Sequence, residues 1–118
     1  MNRITLALGV ALAVVAVTAV PVSARPAVTT PPTITVTMKE FKFILTKSTV
    51  PHGVVTFKLV DKGKLSHDFR IAGKTSKLIK PGKSGTFTVT LKKKGKYVYN
   101  CPIPGHTAAG MKGTLKVT

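Results

Sequence analysis

The sequence predicts an all-β protein, a Greek-key antiparallel β-sandwich of about seven to eight short strands, and three observations carry that expectation. From Thr33 onward, apolar and polar residues alternate with a period of two, and many of the alternating positions are β-branched. Glycine- and proline-containing turn signals interrupt the alternation at short intervals. No segment repeats its apolar residues at helical spacing.

The strands follow in order. Ile34, Val36 and Met38 alternate with threonines, and Phe41 and Phe43 alternate with Glu40 and Lys42. Val55, Phe57 and Leu59 come after a turn at Pro51-His52-Gly53. Further strands are expected at Leu65 to Ile71, Thr86 to Leu91, Gly95 to Cys101 and Thr114 to Thr118. Between them lie turn signals at Asp61-Lys62-Gly63, Ala72-Gly73, Pro81-Gly82 and Lys94-Gly95. Met38 continues the inward parity of Ile34 and Val36 and is assigned to the core; Tyr97 and Tyr99 share the face of Cys101 and are assigned there too. His52, in a Pro-His-Gly turn, is expected in solvent.

Ahead of this domain, residues 1–24 read as a secretory signal peptide. A basic start at Arg3 leads into an apolar stretch from Ile4 to Val20, and Pro21 precedes small residues at Val22 and Ala24 that fit cleavage after Ala24. The competing reading is an uncleaved anchor, because the apolar stretch is long for a signal and short for a membrane span. No cysteine lies near the N-terminus to carry a lipid. Residues 25–32, rich in proline and threonine, read as a flexible tether, and residues 33–118 as one domain. The protein is therefore expected to be exported, to the periplasm or the extracellular space, or else tethered to a membrane by the retained segment.

Charge is lopsided: 19 basic residues stand against 3 acidic ones, for a formal net charge of +16. Most single lysines read as a solvated outer face. Their sum is a long-range positive field that favours an acidic redox partner or an anionic membrane surface. Nucleic acid is not the expected target, because no binding motif or row of exposed aromatics accompanies the charge. With so few carboxylates there is no paired-carboxylate or Ser-His-Asp arrangement and no phosphate loop, so no catalysis is expected of the chain alone.

The chemistry concentrates near the C-terminus, in Tyr97-Val-Tyr-Asn-Cys101-Pro-Ile-Pro-Gly-His106-Thr-Ala-Ala-Gly-Met111. Cys101 is the single cysteine, so it cannot pair within the chain; an exposed thiol or an intermolecular bridge competes with its service as a metal ligand. The spacing C-x4-H-x4-M sets a soft thiolate, a borderline imidazole and a weak thioether close together, a set suited to an ion cycling between Cu(II) and Cu(I). Zinc is a poorer match, since its closed sites draw on several Cys or His residues and rarely on Met. A second imidazole is needed, and His67 in Leu65-Ser-His-Asp-Phe-Arg-Ile71 is the best candidate. His67, Cys101 and His106 would then form a trigonal plane with Met111 as a long axial ligand.

Gly95-Lys-Tyr-Val-Tyr-Asn-Cys101-Pro-Ile-Pro-Gly-His106, the step to Met111, the following Lys112-Gly-Thr-Leu-Lys-Val and the upstream His67-Asp-Phe together resemble a small cupredoxin, the family of plastocyanin, pseudoazurin and azurin. The resemblance spans roughly Thr33 to Thr118. It implies one type 1 copper per chain and a monomeric carrier of single electrons; a copper delivery or storage module would use the same ligands. An enzyme of the copper nitrite reductase or multicopper oxidase kind would need further histidines, and His52 alone is left over.

Around the sulfur, Pro102 and Pro104 lack an N–H, which leaves the Ile103 N–H as a donor, with the Asp68 N–H added by resemblance. Asp68 stands where many cupredoxins carry Asn. As a carboxylate it can only accept, so a bond to a loop would need an N–H or a hydroxyl such as Thr107. By resemblance, His106 reaches the surface through an apolar collar of Pro102, Ile103, Pro104, Ala108 and Ala109 that serves as the docking face.

Overall fold

A computed structural model of the chain describes residues 9–21 and 30–118. The cleavage site after Ala24 and residues 25–29 of the tether lie outside the described residues. Residues 9–21 form neither helix nor strand, and among the described residues no helix is long and apolar enough to cross a membrane.

Nine strands are formed among the described residues: β1 (Thr33–Lys39), β2 (Lys42–Leu45), β3 (Thr49–Val50), β4 (Gly53–Asp61), β5 (Arg70–Ile71), β6 (Lys74–Thr75), β7 (Ser84–Leu91), β8 (Gly95–Asn100) and β9 (Lys112–Val117). They build two sheets, one in the order β2-β1-β4-β7 and the other β3-β9-β8-β5-β6. This is the expected all-β sandwich, with one difference. β1 pairs parallel with β4 and β3 parallel with β9, so both sheets are mixed. The chain leaves the first sheet after β2, contributes β3 to the second and returns as β4 beside β1. Such a crossover can bring two strands together in the same direction without a hairpin between them.

The alternation of the sequence is the alternation of the packing. Ile34, Val36 and Met38 of β1 are fully buried, as are Val55 and Phe57 of β4, while the intervening positions are partly or wholly exposed. β7, β8 and β9 add Val89, Leu91, Tyr99, Leu115 and Val117 to the same core. At its centre the Phe69 ring stands 5.0 Å from Phe57, 5.2 Å from Phe43 and 5.3 Å from Tyr99, in tilted or edge-on arrangements that suit aromatic quadrupoles.

Two expected strands came out differently. Only Arg70 and Ile71 of the stretch from Leu65 to Ile71 pair as a strand. Upstream of them the backbone donors go elsewhere: the Lys64 and Leu65 N–H groups bond the Glu40 carboxylate, and the Phe69 N–H bonds Ser76 Oγ. His67 keeps a single bridge, exchanging both backbone bonds with Ile79. Phe41, assigned by alternation to the same strand as Phe43, instead shares with Glu40 the turn between β1 and β2 and is part-exposed.

Phe69 lies two residues from His67 and fills the middle of the core. Phe69→Ala is expected to destabilise the protein by about 3–5 kcal/mol. For a domain of this size that lowers the melting temperature by ~12 °C or more, readable by circular dichroism.

Candidate metal centre

Two side chains of one loop, Cys101 and His106, meet the distant His67 within the fold. Cys101 follows directly on β8, and its backbone N–H bonds the Met111 carbonyl just before β9. The nine-residue loop between them is closed by its own hydrogen bonds: His106 N–H to Ile103 O, Ala109 N–H to Gly105 O, and Met111 N–H to His106 O. Gly105 (φ 86°) and Gly110 (φ 112°) sit in this loop at backbone angles that a residue with a Cβ avoids. Asn100 Nδ2 donates to Thr107 Oγ1 at 3.1 Å, and that hydroxyl donates to the Cys101 carbonyl at 2.7 Å, tying the strand end to the loop. His67 arrives from the other side, held by its bridge to Ile79.

The result is a closed cluster. His67 Nδ1 lies 3.2 Å from His106 Nδ1, and Cys101 Sγ lies 3.5 Å from His106 Nδ1. The ligand atoms of His67, Cys101 and His106 all fall within 4.8 Å of one another. Cys101, His67 and Met111 are wholly buried and His106 is 9% exposed. These spacings suit a shared metal ion. With metal–nitrogen bonds of about 2.0–2.1 Å and a metal–sulfur bond of about 2.3 Å, donors 120° apart stand about 3.5–3.8 Å from each other. The two measured pairs sit slightly inside that spacing.

Electrostatics at the sulfur pull both ways. Burial pushes the Cys101 thiol above its ordinary range. The backbone N–H groups of Asp68 and Ile103 act in the opposite direction, and the nearby Asp68 carboxylate adds to the rise. The thiol donates to Asp68 Oδ1 at 3.6 Å. Asp68 makes no bond to Thr107, whose hydroxyl is taken by Asn100 and the Cys101 carbonyl. Of the expected collar, Pro104, Ala108 and Ala109 are exposed, Pro102 is part-buried, and Ile103 is part-buried and packed against the core.

Two residues at the site escaped the sequence reading. Glu40 Oε1 approaches His67 Nε2 at 3.4 Å, and the Phe41 ring meets the His106 ring edge-on at 5.2 Å. The turn between β1 and β2 thus touches both imidazoles. The backbone N–H of Leu65 above all, with those of Glu40 itself and Lys64 and the His67 ring, holds the Glu40 carboxyl down to about 2 against the opposing effect of burial. A signal was present: inward parity is even from Ile34 to Met38 and odd from Phe43, so Glu40 falls on the inward parity of the first run just where the parity switches. His52, by contrast, is exposed and bonds the Thr118 carbonyl through Nδ1 at 3.0 Å.

A family of copper-binding proteins, the plastocyanin/azurin family, matches residues 19–118. The chain belongs to the plastocyanin/azurin family. Its cofactor is accordingly copper. Auracyanin-B of Chloroflexus aurantiacus is 49% identical over 41 residues, which is 35% of this chain and 17% of that protein, so the alignment spans a small part of the relative. Among solved structures, one of auracyanin B superposes with a TM-score of 0.63 at 23% identity, over 82% of this chain and 93% of the other. Auracyanin A, described as a blue copper protein of the same bacterium, gives 0.62 at 22% identity, over 74% and 99%. At these identities the structures establish a shared cupredoxin fold.

Because the Cys101 thiol is buried and held in its protonated form, it is expected to react slowly with a thiol reagent at pH 8 while the metal-free protein is folded, and rapidly once denatured. Fast labelling in native buffer would show a sulfur open to solvent.

Proposed function

We propose that this protein is a type 1 copper carrier of single electrons, with His67, Cys101 and His106 as the close ligands and Met111 as the weak axial one. The observation that carries the proposal is the convergence of two imidazole nitrogens and one thiol on a single buried point. Bound copper supplies the Cu(II)/Cu(I) couple; the chain supplies a site that is already assembled. Backbone bonds on both sides of the loop fix Cys101, His106 and Met111, and the bridge to Ile79 fixes His67. Little rearrangement then accompanies a change of charge. The N–H groups of Asp68 and Ile103 directed at the sulfur draw charge from the thiolate and favour the reduced ion.

His106 is the natural exit for the electron, being the ligand with measurable exposure. Exposed Pro104, Ala108 and Ala109 around it, together with part-exposed Phe41, form the apolar patch on which a partner would dock. Every lysine of the chain is exposed, and among the described residues none forms an ion pair. This supports a field that steers an acidic redox protein, or an anionic membrane surface, toward the patch. Export to the periplasm or extracellular space, through a leader ending near Ala24 or with that segment kept as a tether, suits a carrier with one cysteine and no disulfide.

The protein given Cu(II) is expected to turn intensely blue through sulfur-to-copper charge transfer, and Cys101→Ser to abolish the band while the circular dichroism spectrum stays unchanged; a colourless wild type that retains zinc in preference would refute the assignment. Reversing four or more exposed lysines to Glu is expected to slow reduction by an acidic partner at low salt by ~10-fold or more, with the difference shrinking as salt is added. Equal stopped-flow rates for the two proteins would remove the steering role.

A further inference from the structure

The chain has three acidic residues; two of them touch candidate metal ligands, and the third orients a neighbour of one of these. Asp68 accepts from the Cys101 thiol, Glu40 stands against His67, and Asp61 Oδ1 accepts the Gly63 N–H at 2.8 Å, orienting the glycine that borders the Glu40 carboxylate. In a protein this basic, a carboxylate on the inward side of a strand end is not a solubility device.

Glu40 is fixed from several directions. Its Oε1 accepts the Lys64 and Leu65 N–H groups, each at 2.6 Å. A Cβ added to Gly63 would lie 2.5 Å from Oε1 and 2.7 Å from Oε2, so the absence of a side chain there is what leaves room for the carboxylate. The same oxygen is 3.4 Å from His67 Nε2, which is buried and makes no hydrogen bond.

The proton on His67 decides what this proximity means. The His67 and His106 Nδ1 atoms stand 3.2 Å apart, so both rings turn this nitrogen toward one point. A neutral His67 that turns its Nδ1 lone pair to a metal must carry its proton on Nε2. That N–H would be buried, where an unpaired donor is costly, and Glu40 Oε1 is the acceptor facing it.

We propose that Glu40 is the positioning residue of the copper site: its carboxylate accepts the His67 Nε2–H in the metal-bound protein, fixes the ring's tautomer and orientation, and sets a negative charge behind the ligand. The proposal rests on His67 being a copper ligand. Such a carboxylate makes the imidazole a stronger donor and favours the oxidised ion. In this role Glu40 opposes the N–H groups that draw charge from Cys101.

Three variants of the full chain test it. Glu40→Gln keeps an oxygen at the Oε1 position and removes the charge. Glu40→Ala removes the acceptor. Gly63→Ala leaves Glu40 in place in the sequence and displaces its carboxylate, a movement of a flexible side-chain end that the fold can absorb. The readouts are Cu(II) affinity by competition titration, reduction potential by voltammetry, and the His67 Nε2–H signal by nitrogen-15 NMR of the diamagnetic Cu(I) form.

Glu40→Ala and Gly63→Ala are expected to lose about 10- to 100-fold in Cu(II) affinity and to shift or lose the Nε2–H signal. Glu40→Gln is expected to keep that signal and to raise the potential. Unchanged affinity, potential and Nε2–H signal in both Glu40 variants, alongside a blue band that His67→Ala destroys, would overturn the role of Glu40 alone. A blue band that survives His67→Ala would overturn the ligand assignment, and the role of Glu40 with it.

Discussion

Burying two imidazoles and a thiol against each other is the constraint on which the rest of the structure turns. None of the three can be solvated where it sits, and each nitrogen or sulfur needs a partner that the core cannot provide. The two Nδ1 atoms lie 3.2 Å apart and the thiol leans on Asp68. A copper ion held by His67, Cys101 and His106 would satisfy all three donors at once. Rigid strands, a loop closed on itself and a two-residue bridge at Ile79 serve to keep that point assembled.

The distribution of charge follows from the same constraint. Lysines occupy the outward positions of the strands and the turns, where a long stem can lie on the surface and the ammonium reach water. The three carboxylates occupy the opposite niche: Glu40 and Asp61 accept backbone N–H groups, and Glu40 and Asp68 stand beside metal-ligand candidates. Glu40 is held by two amides and Asp61 by one, so their charge is fixed in space rather than paired with a mobile lysine. The exterior therefore carries a diffuse positive field, and the metal centre a small, oriented negative one. A partner would feel the first at long range, and the electron the second at short range.

Departures from the strand pattern are concentrated at the site. Leu65 to Ile71 alternates as a strand should, yet its early peptide groups are drawn to the Glu40 carboxylate and to Ser76, so His67 lies in irregular backbone with one bridge. Phe41 has the parity of Phe43 and still sits in a turn, covering the His106 ring instead of entering the core. In both places a tertiary contact to a histidine prevailed over local alternation. Neither histidine contact is local in sequence: Glu40 and His67 are 27 positions apart, and Phe41 and His106 are 65 apart.

The amino-acid sequence by itself determined the class of fold, the inward and outward faces of the long strands, and the donor set, because period-two alternation and the C-x4-H-x4-M spacing are local properties of the chain. Tertiary structure decided what depends on distant segments meeting. It set the parallel pairing of β1 with β4 and of β3 with β9, the approach of His67 to Cys101 and His106, and the closure of the β1–β2 turn over both imidazoles. The physical reason is reach: a side chain's neighbours along the strand are set by chemistry within a few residues, whereas its neighbours across the sandwich exist once the two sheets have packed.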